Sequence, residues 1–184
     1  MNVYEHGESV VDWFTDLYIN AIRQTPFSKK WRHTKWVYDR RLTSKLLPLE
    51  ILNTYLLWHD IGKPYCRIID EQGRVHFPNH AEISKNIWNE NSDNSEESKI
   101  IGELIGMDML AHTVRGEDLL AFAKHPYAPS LLFAAYAEIH SNAAWLNALE
   151  SDSFKIKIKQ LEKLAKSILK AKQPLTAMGW TPEK

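Results

Sequence analysis

Apolar residues recur at steps of three and four along most of this chain, and this spacing limits the possible fold more than any other feature. Between residues 9 and 23, the apolar residues that follow this spacing are Val10, Trp13, Phe14, Leu17, Tyr18 and Ile22. Such steps place side chains on one stripe of a helix, so this segment predicts an amphipathic helix. Only seven glycines and eight prolines interrupt the 184 residues. The pattern therefore indicates an all-α protein.

The same spacing predicts the remaining elements. Further helices are expected over residues 31–40, 48–59, 80–88, 96–112, 116–124, 129–149 and 154–172. Residues 66–77 differ, because two short runs rich in Ile, Val and Phe flank a turn that contains Gly73, which predicts a small β-hairpin insertion. The polar run 89–98 is expected to be a surface loop. We predict one helical domain over 1–172 and a tail over 173–184.

Charge and cysteine content limit the class of protein. The 23 basic and 23 acidic residues cancel, which argues against an extended nucleic-acid binding track. Cys66 is the single cysteine, so no internal disulfide forms, as is typical of a reducing compartment. No segment has the roughly 20 apolar residues of a membrane span, and none resembles a secretion signal. These features predict a cytoplasmic protein; they leave open whether it is an oligomer.

The run Leu-Leu-Trp-His-Asp-Ile-Gly-Lys-Pro at residues 56–64 carries the strongest chemical signal. An imidazole beside a carboxylate at the end of an apolar helix is unfavourable to bury without a partner. A divalent cation offsets that cost, because both groups are good ligands for first-row metals. We therefore predict that His59 and Asp60 bind a metal, and that Gly62 permits the backbone turn that ends the helix.

Five further candidate ligands lie on predicted helices: His33, His80, Asp108, His112 and Glu138. Asp108 and His112 are four residues apart and share one helix face. Glu138 lies within an apolar run, which favours a paired carboxylate over a solvated one. His6, His125 and His140 have no spacing argument, and we expect them to be ordinary residues outside the site.

The order of these residues resembles the HD superfamily of metal-dependent phosphohydrolases. The segment 59–80 in particular is similar to the HD domains of bacterial tRNA nucleotidyltransferases and of RNA end-healing phosphatases. This resemblance implies an HD-domain helical bundle with phosphatase or 2′,3′-cyclic phosphodiesterase activity. It also implies one or two divalent ions (Mn, Co, Ni, Mg, Fe or Zn) and a substrate that is a phosphorylated nucleotide or nucleic-acid end.

The resemblance also assigns expected roles. His33, His59, Asp60 and Glu138 would hold one ion, with His80, Asp108 and His112 at its rim or on a second ion. Asp60 and Lys63 are the expected catalytic residues. The expected substrate-binding residues are Lys63, Arg67, Arg115 and Arg41.

Two positions depart from the family pattern. Glu138 stands where the family usually has aspartate, and Asp108 stands where relatives often have histidine. These departures leave open a degenerate HD domain that binds a nucleotide or a protein without turnover. A second alternative is a purely structural helical adaptor, for which the match over residues 56–80 is a coincidence.

Overall fold

A computed structural model describes residues 2–32 and 34–171 of the chain, and it shows helices with one two-stranded hairpin. The elements are α1 Val3–Arg23, α2 Arg40–Thr43, α3 Leu49–Trp58, α4 Lys63–Cys66, β1 Ile68–Ile69, β2 Val75–His76, α5 His80–Asn91, α6 Glu96–Met107, α7 Leu110–Thr113, α8 Gly116–Ala123, α9 Ala128–Trp145 and α10 Asp152–Lys170. A 3₁₀ turn, Lys35–Tyr38, precedes α2. The strands are antiparallel, with Ile68 opposite His76. The predicted all-α fold with a hairpin insertion is confirmed.

The helix α9 lies at the centre of the bundle. It is apolar on nearly every side, and Leu132, Phe133, Ala134 and Ala137 are at most 1% exposed. A helix that is hydrophobic all round must be covered by neighbours, and α1, α3, α7 and α10 all pack against it. Because Glu138 belongs to this helix, the fold carries a carboxylate into the interior.

The first helix begins at Val3 rather than near residue 9. Asn2 and Glu5 form a capping box: the Asn2 side chain accepts from the Glu5 backbone N–H at 2.8 Å, and Glu5 accepts from the Asn2 backbone N–H at 2.9 Å. This arrangement satisfies two backbone donors that a helix start otherwise leaves without partners. The added turn places His6, which is 9% exposed, on the inner face of α1.

The helix predicted over 31–40 is wrong. Residues 34–39 are mostly 3₁₀ turn, and α2 begins at Arg40 with Asp39 as its cap. Trp31 and Trp36 both pack on Tyr136 of α9. Residues five apart on an α-helix point about 140° away from each other, so one helix could not direct both indoles to the same surface.

Smaller differences concern the ends of other elements. The helix predicted over 96–112 ends at Met107 and is followed by the separate turn α7. The polar run 89–98 is largely helical, since α5 extends to Asn91 and Ser95 caps α6 by accepting from the Ser98 backbone N–H. The predicted tail 173–184 lies outside the described residues. Among the described residues, no helix has the length and apolar character needed to cross a bilayer.

His140 is part of the core. It is completely buried, its Nδ1–H donates to the Tyr136 carbonyl at 2.7 Å, and its Nε2 accepts from the Arg32 backbone N–H at 3.1 Å. Burial lowers the pKa of His140 to about 4, so the ring is neutral at pH 7. Its two nitrogens are both engaged, so His140 is a structural residue and has no lone pair left for a ligand.

Candidate metal centre

His59 and Asp60 lie at the point where α3 ends. His59 is the C-terminal cap of α3, and the chain continues in tight turns in which Ile61 N–H donates to the Trp58 carbonyl and Lys63 N–H to the Asp60 carbonyl. His59 is 1% exposed and Asp60 is 2% exposed. The change of direction at the helix end brings both side chains to one interior region.

Gly62 has a different role from the one predicted. Its backbone angles, φ −76° and ψ −18°, are ordinary for any residue, so the expected unusual turn is wrong. A Cβ at this position would lie 2.6 Å from both the His80 carbonyl oxygen and the Ser84 backbone nitrogen. Gly62 N–H also donates to Ser84 Oγ at 2.8 Å. The missing side chain therefore lets α5 approach the His59–Asp60 turn closely.

Substituting Gly62→Ala is expected to displace the first turn of α5, and His80 with it. Overpacking of this kind costs about 1–3 kcal/mol of unfolding free energy, and we expect at least tenfold weaker Co²⁺ binding in a spectroscopic titration. Gly73→Ala is the matched control, because Gly73 has φ +75° but a Cβ added there would meet no atom within 4 Å. It should lose stability and keep its Co²⁺ affinity; a Gly62→Ala protein with unchanged affinity would contradict the role of this contact.

Three side chains from distant parts of the sequence meet beside this turn. Among the described residues, ligand atoms of His6, His59 and Glu138 all lie within 4.8 Å of one another. They come from α1, the end of α3 and α9, which pack on each other. Asp60 joins them, because its Oδ2 is 3.5 Å from His6 Nε2 and 3.4 Å from His59 Nε2.

His6 was not predicted as a ligand, and this omission follows from the late start predicted for α1. Two signals in the sequence could have found it. Asn2 and Glu5 have the spacing of a capping box, and His6 precedes Val10 by one helical turn. His6 thus extends the apolar stripe of α1, where an unpartnered imidazole is unexpected.

The hydrogen bonds of two histidines leave a lone pair free toward the centre. His59 Nδ1 lies 2.6 Å from the Leu56 carbonyl, and His80 Nδ1 lies 2.9 Å from the Phe77 carbonyl. A carbonyl oxygen only accepts, so each Nδ1 carries the proton and each Nε2 of a neutral ring has a lone pair. This is the tautomer in which histidine binds metals, with the second nitrogen held by a backbone oxygen.

The lone pairs of these rings face carboxylate oxygens. His59 Nε2 faces Asp60 Oδ2 at 3.4 Å, and His80 Nε2 faces Asp60 Oδ1 at 3.5 Å. Both His59 Nε2 and Asp60 Oδ1 are buried without a hydrogen-bond partner among the described residues. A ring lone pair that faces a carboxylate oxygen in a dry site is unfavourable unless a proton or a cation lies between them. The donor set therefore fits a divalent metal ion.

The charges of the site agree with this conclusion. Burial lowers the pKa of His59, but the negative charges of Asp60, Asp108 and Glu138 outweigh burial and raise it. Burial raises the pKa of Glu138, but the hydrogen bond and charge of His112 more than offset it and hold that pKa well below its usual range. The cluster is thus an anionic interior that favours added positive charge.

The other predicted ligands lie around this centre in different roles. His112 Nε2 is 3.0 Å from Glu138 Oε2 and so supports a ligand. Asp108 Oδ1 accepts from the buried Tyr55 hydroxyl at 2.5 Å, and burial raises the pKa of Asp108. His33, predicted as a ligand, lies outside the described residues.

The predicted substrate-binding residues separate into two groups. A cavity of about 420 Å³ opens beside His6 and Asp60, and Lys63 and Arg67 line it. Arg41 does not line it and pairs with Asp39 at 2.6 Å. Arg115 lines other cavities and donates to the Val114 carbonyl at 2.6 Å and to the His112 carbonyl at 3.2 Å.

Lys63 connects the cluster to this cavity. Its ammonium group donates to Asp60 Oδ2 and lies 5.6 Å from the centre of the Phe77 ring.

The comparisons with known protein families, with curated proteins and with solved structures each find no match to this chain.

Proposed function

We propose that this chain is a metal-dependent phosphohydrolase. The observation that carries the proposal is the meeting of His6, His59 and Glu138 ligand atoms within 4.8 Å, with His59 Nε2 buried and unpartnered among the described residues. Two imidazoles and a carboxylate, with Asp60 adjacent, form the ligand set that catalytic transition-metal sites use. The resemblance of residues 59–80 to HD phosphohydrolases supports the same reaction class.

His6, His59, Asp60 and Glu138 would hold the ion. When bound, a divalent ion lowers the pKa of water enough to make hydroxide available near neutral pH. In the net reaction, water adds across the P–O ester bond: oxygen from water joins phosphorus, and the departing oxygen leaves with a proton as the alcohol.

The residues of the chain supply the remaining parts of this chemistry. Lys63 places an ammonium group between Asp60 and the cavity, where it neutralises charge on phosphoryl oxygens. His112 orients Glu138 through a 3.0 Å contact, and Asn142 donates to the other oxygen of Glu138 at 3.4 Å. The low exposure of His59 and Asp60 keeps water away and strengthens each electrostatic contact.

The proposal is tested by combining metal analysis with a substrate screen. The purified protein is stripped with chelator, reloaded with Mn²⁺, Co²⁺, Ni²⁺, Mg²⁺, Fe²⁺ or Zn²⁺, and assayed on phosphomonoesters, 2′,3′-cyclic nucleotides and phosphodiesters. We expect about one tightly bound ion per chain. We also expect chelator to abolish hydrolysis, measured as phosphate release from the monoesters and as monoester formation from the cyclic nucleotides and diesters.

Two outcomes would contradict the proposal. Tight metal binding without turnover on any of these substrates would favour a regulatory module that binds a nucleotide or a protein. No metal binding, together with a melting temperature that excess chelator leaves unchanged, would favour a helical adaptor.

A further inference from the structure

Arg67 is the free cation among the described residues that line the cavity beside the metal centre. It caps the end of α4, is exposed, and lines the cavity with Lys63. Its side chain has no hydrogen bond or ion pair with any described residue, whereas Lys63 is paired with Asp60. An unpaired guanidinium at the edge of a binding cavity is suited to bind a carboxylate or a phosphate through two parallel hydrogen bonds.

The other polar groups of the cavity are already engaged. Asn142 donates to Glu138, and the side-chain oxygen of Asn2 accepts from Glu5. Asp60, the one carboxylate among the lining residues that the structure describes, is neutralised by Lys63. Arg67 is therefore the lining residue with an unpaired positive charge, and this charge favours anionic ligands in the cavity.

The remaining wall of the cavity is apolar. Val3, Pro64 and Phe77 form it, and the Phe77 ring centre lies 5.6 Å from the Lys63 ammonium. A planar ring of a bound molecule packs favourably against an apolar wall that includes an aromatic side chain. The volume of about 420 Å³ is in the lower half of the range for small-molecule pockets, which is roughly 300–1,000 Å³.

We infer that the site takes a small aromatic phosphomonoester that carries a second anionic group, and that Arg67 binds this second group. The inference rests on the proposed function, because Lys63 and the metal centre would receive the phosphate. Lys63 and Arg67 line the same cavity, so one small molecule that carries two anionic groups can contact both.

Binding is tested with two matched, non-hydrolysable probes, phenylphosphonate and 4-carboxyphenylphosphonate, by calorimetry on the metal-loaded protein. We expect the carboxylated probe to bind about tenfold more tightly, as a charge-assisted pair of roughly 1.4 kcal/mol implies. Arg67→Ala should reduce this preference to about one and leave phenylphosphonate within about twofold. Arg67→Lys should keep part of the preference.

Arg41→Ala is the control, because Arg41 carries the same charge but pairs with Asp39 away from the cavity. It should keep the full preference. Equal binding of the two probes by the wild type, or an equal loss of both in Arg67→Ala, would overturn the inference. A 5′-phosphorylated dinucleotide that binds tenfold more tightly than 4-carboxyphenylphosphonate would also overturn it, in favour of a polymer end.

A hydrolysis assay distinguishes a failure of this inference from a failure of the proposed function. Phenyl phosphate and 4-carboxyphenyl phosphate are compared by kcat/KM, with the expected difference in KM and little change in kcat. If both esters are hydrolysed without an Arg67-dependent preference, the inference fails and the phosphohydrolase stands. If the probes bind with the Arg67-dependent preference and no ester is hydrolysed, the anion site stands and the phosphohydrolase fails.

Discussion

Replacing His6 with alanine is expected to abolish tight divalent-metal binding and to lower phosphate-ester hydrolysis about a thousandfold. The loss corresponds to several kcal/mol of transition-state stabilisation, the amount that a bound Lewis acid supplies. His6 contributes this much because its ring meets His59 and Glu138 at the centre. Burial lowers the pKa of His6, which favours the neutral ring, and the lone pair of a neutral ring can bind a metal.

The measurement combines metal content after desalting with kcat/KM on the best substrate of the screen. His59→Ala should behave in the same way, whereas His125→Ala is the matched control, since His125 lies outside the metal cluster. Circular dichroism should show the same helix content in all three proteins. A His6→Ala protein that keeps both its metal and its activity would show that the cluster is not the catalytic centre.

His33→Ala belongs in the same experiment, because the sequence predicts His33 as a ligand and the described geometry supports His6. If His6→Ala loses the metal and His33→Ala keeps it, the first ligand comes from α1. If His33→Ala loses the metal and His6→Ala keeps it, the first ligand is His33, as the resemblance to the HD family implies. If both variants lose the metal, both imidazoles bind the ion.

Helices that are determined by one apolar stripe were predicted well from the sequence. Helix ends and turns that depend on contacts with residues far away in the sequence were predicted less well. The stripe of Val10, Phe14 and Leu17 identified α1, but its first turn depends on the Asn2–Glu5 box. The helix expected over 31–40 does not form, because Trp31 and Trp36 both pack on α9. Local periodicity contains no information about such a shared partner.

The candidate site shows the same division. His59 and Asp60 could be found because they are adjacent and sit in an unusual apolar context. Glu138 could be proposed because a carboxylate within a buried helix needs a partner. The residues that lie beside Glu138 depend on how α1, α3 and α9 pack against each other, and this packing places His6 next to it. The close approach allowed by Gly62 was likewise invisible in sequence, since it depends on α5.

Asp16 holds the loop that follows α1, and it is the strongest stability determinant that we identify outside the metal centre. Its oxygens accept from the Ser28 backbone N–H at 3.0 Å, from the Lys29 backbone N–H at 3.1 Å and from Trp31 Nε1 at 2.8 Å. Burial raises the pKa of Asp16, but these bonds, with the Ser28 hydroxyl, outweigh burial and lower it. A single carboxylate thus orders the loop and fixes the indole that packs on α9.

Asp16→Ala is expected to lower the free energy of unfolding by about 3 kcal/mol, because the buried Trp31 N–H and two loop N–H groups lose their acceptor. In a chain of this size that corresponds to a fall in melting temperature of about 10 °C. Asp12→Ala is the control: Asp12 lies one turn earlier on α1 and pairs with Lys29, but its side chain is 71% exposed, so its loss should cost under about 1 kcal/mol.

The dependence on pH provides an independent check of the same carboxylate. Because the folded-state pKa of Asp16 lies below its unfolded value of 3.8, its contribution is fully present above that value and is lost as pH falls through the folded pKa. The difference in stability between wild type and Asp16→Ala should therefore be constant from pH 7 to about pH 5 and shrink below pH 4. Chemical denaturation at a series of pH values measures it. A difference that stays constant down to pH 2 would mean that packing of the side chain, and not its charge, orders the loop.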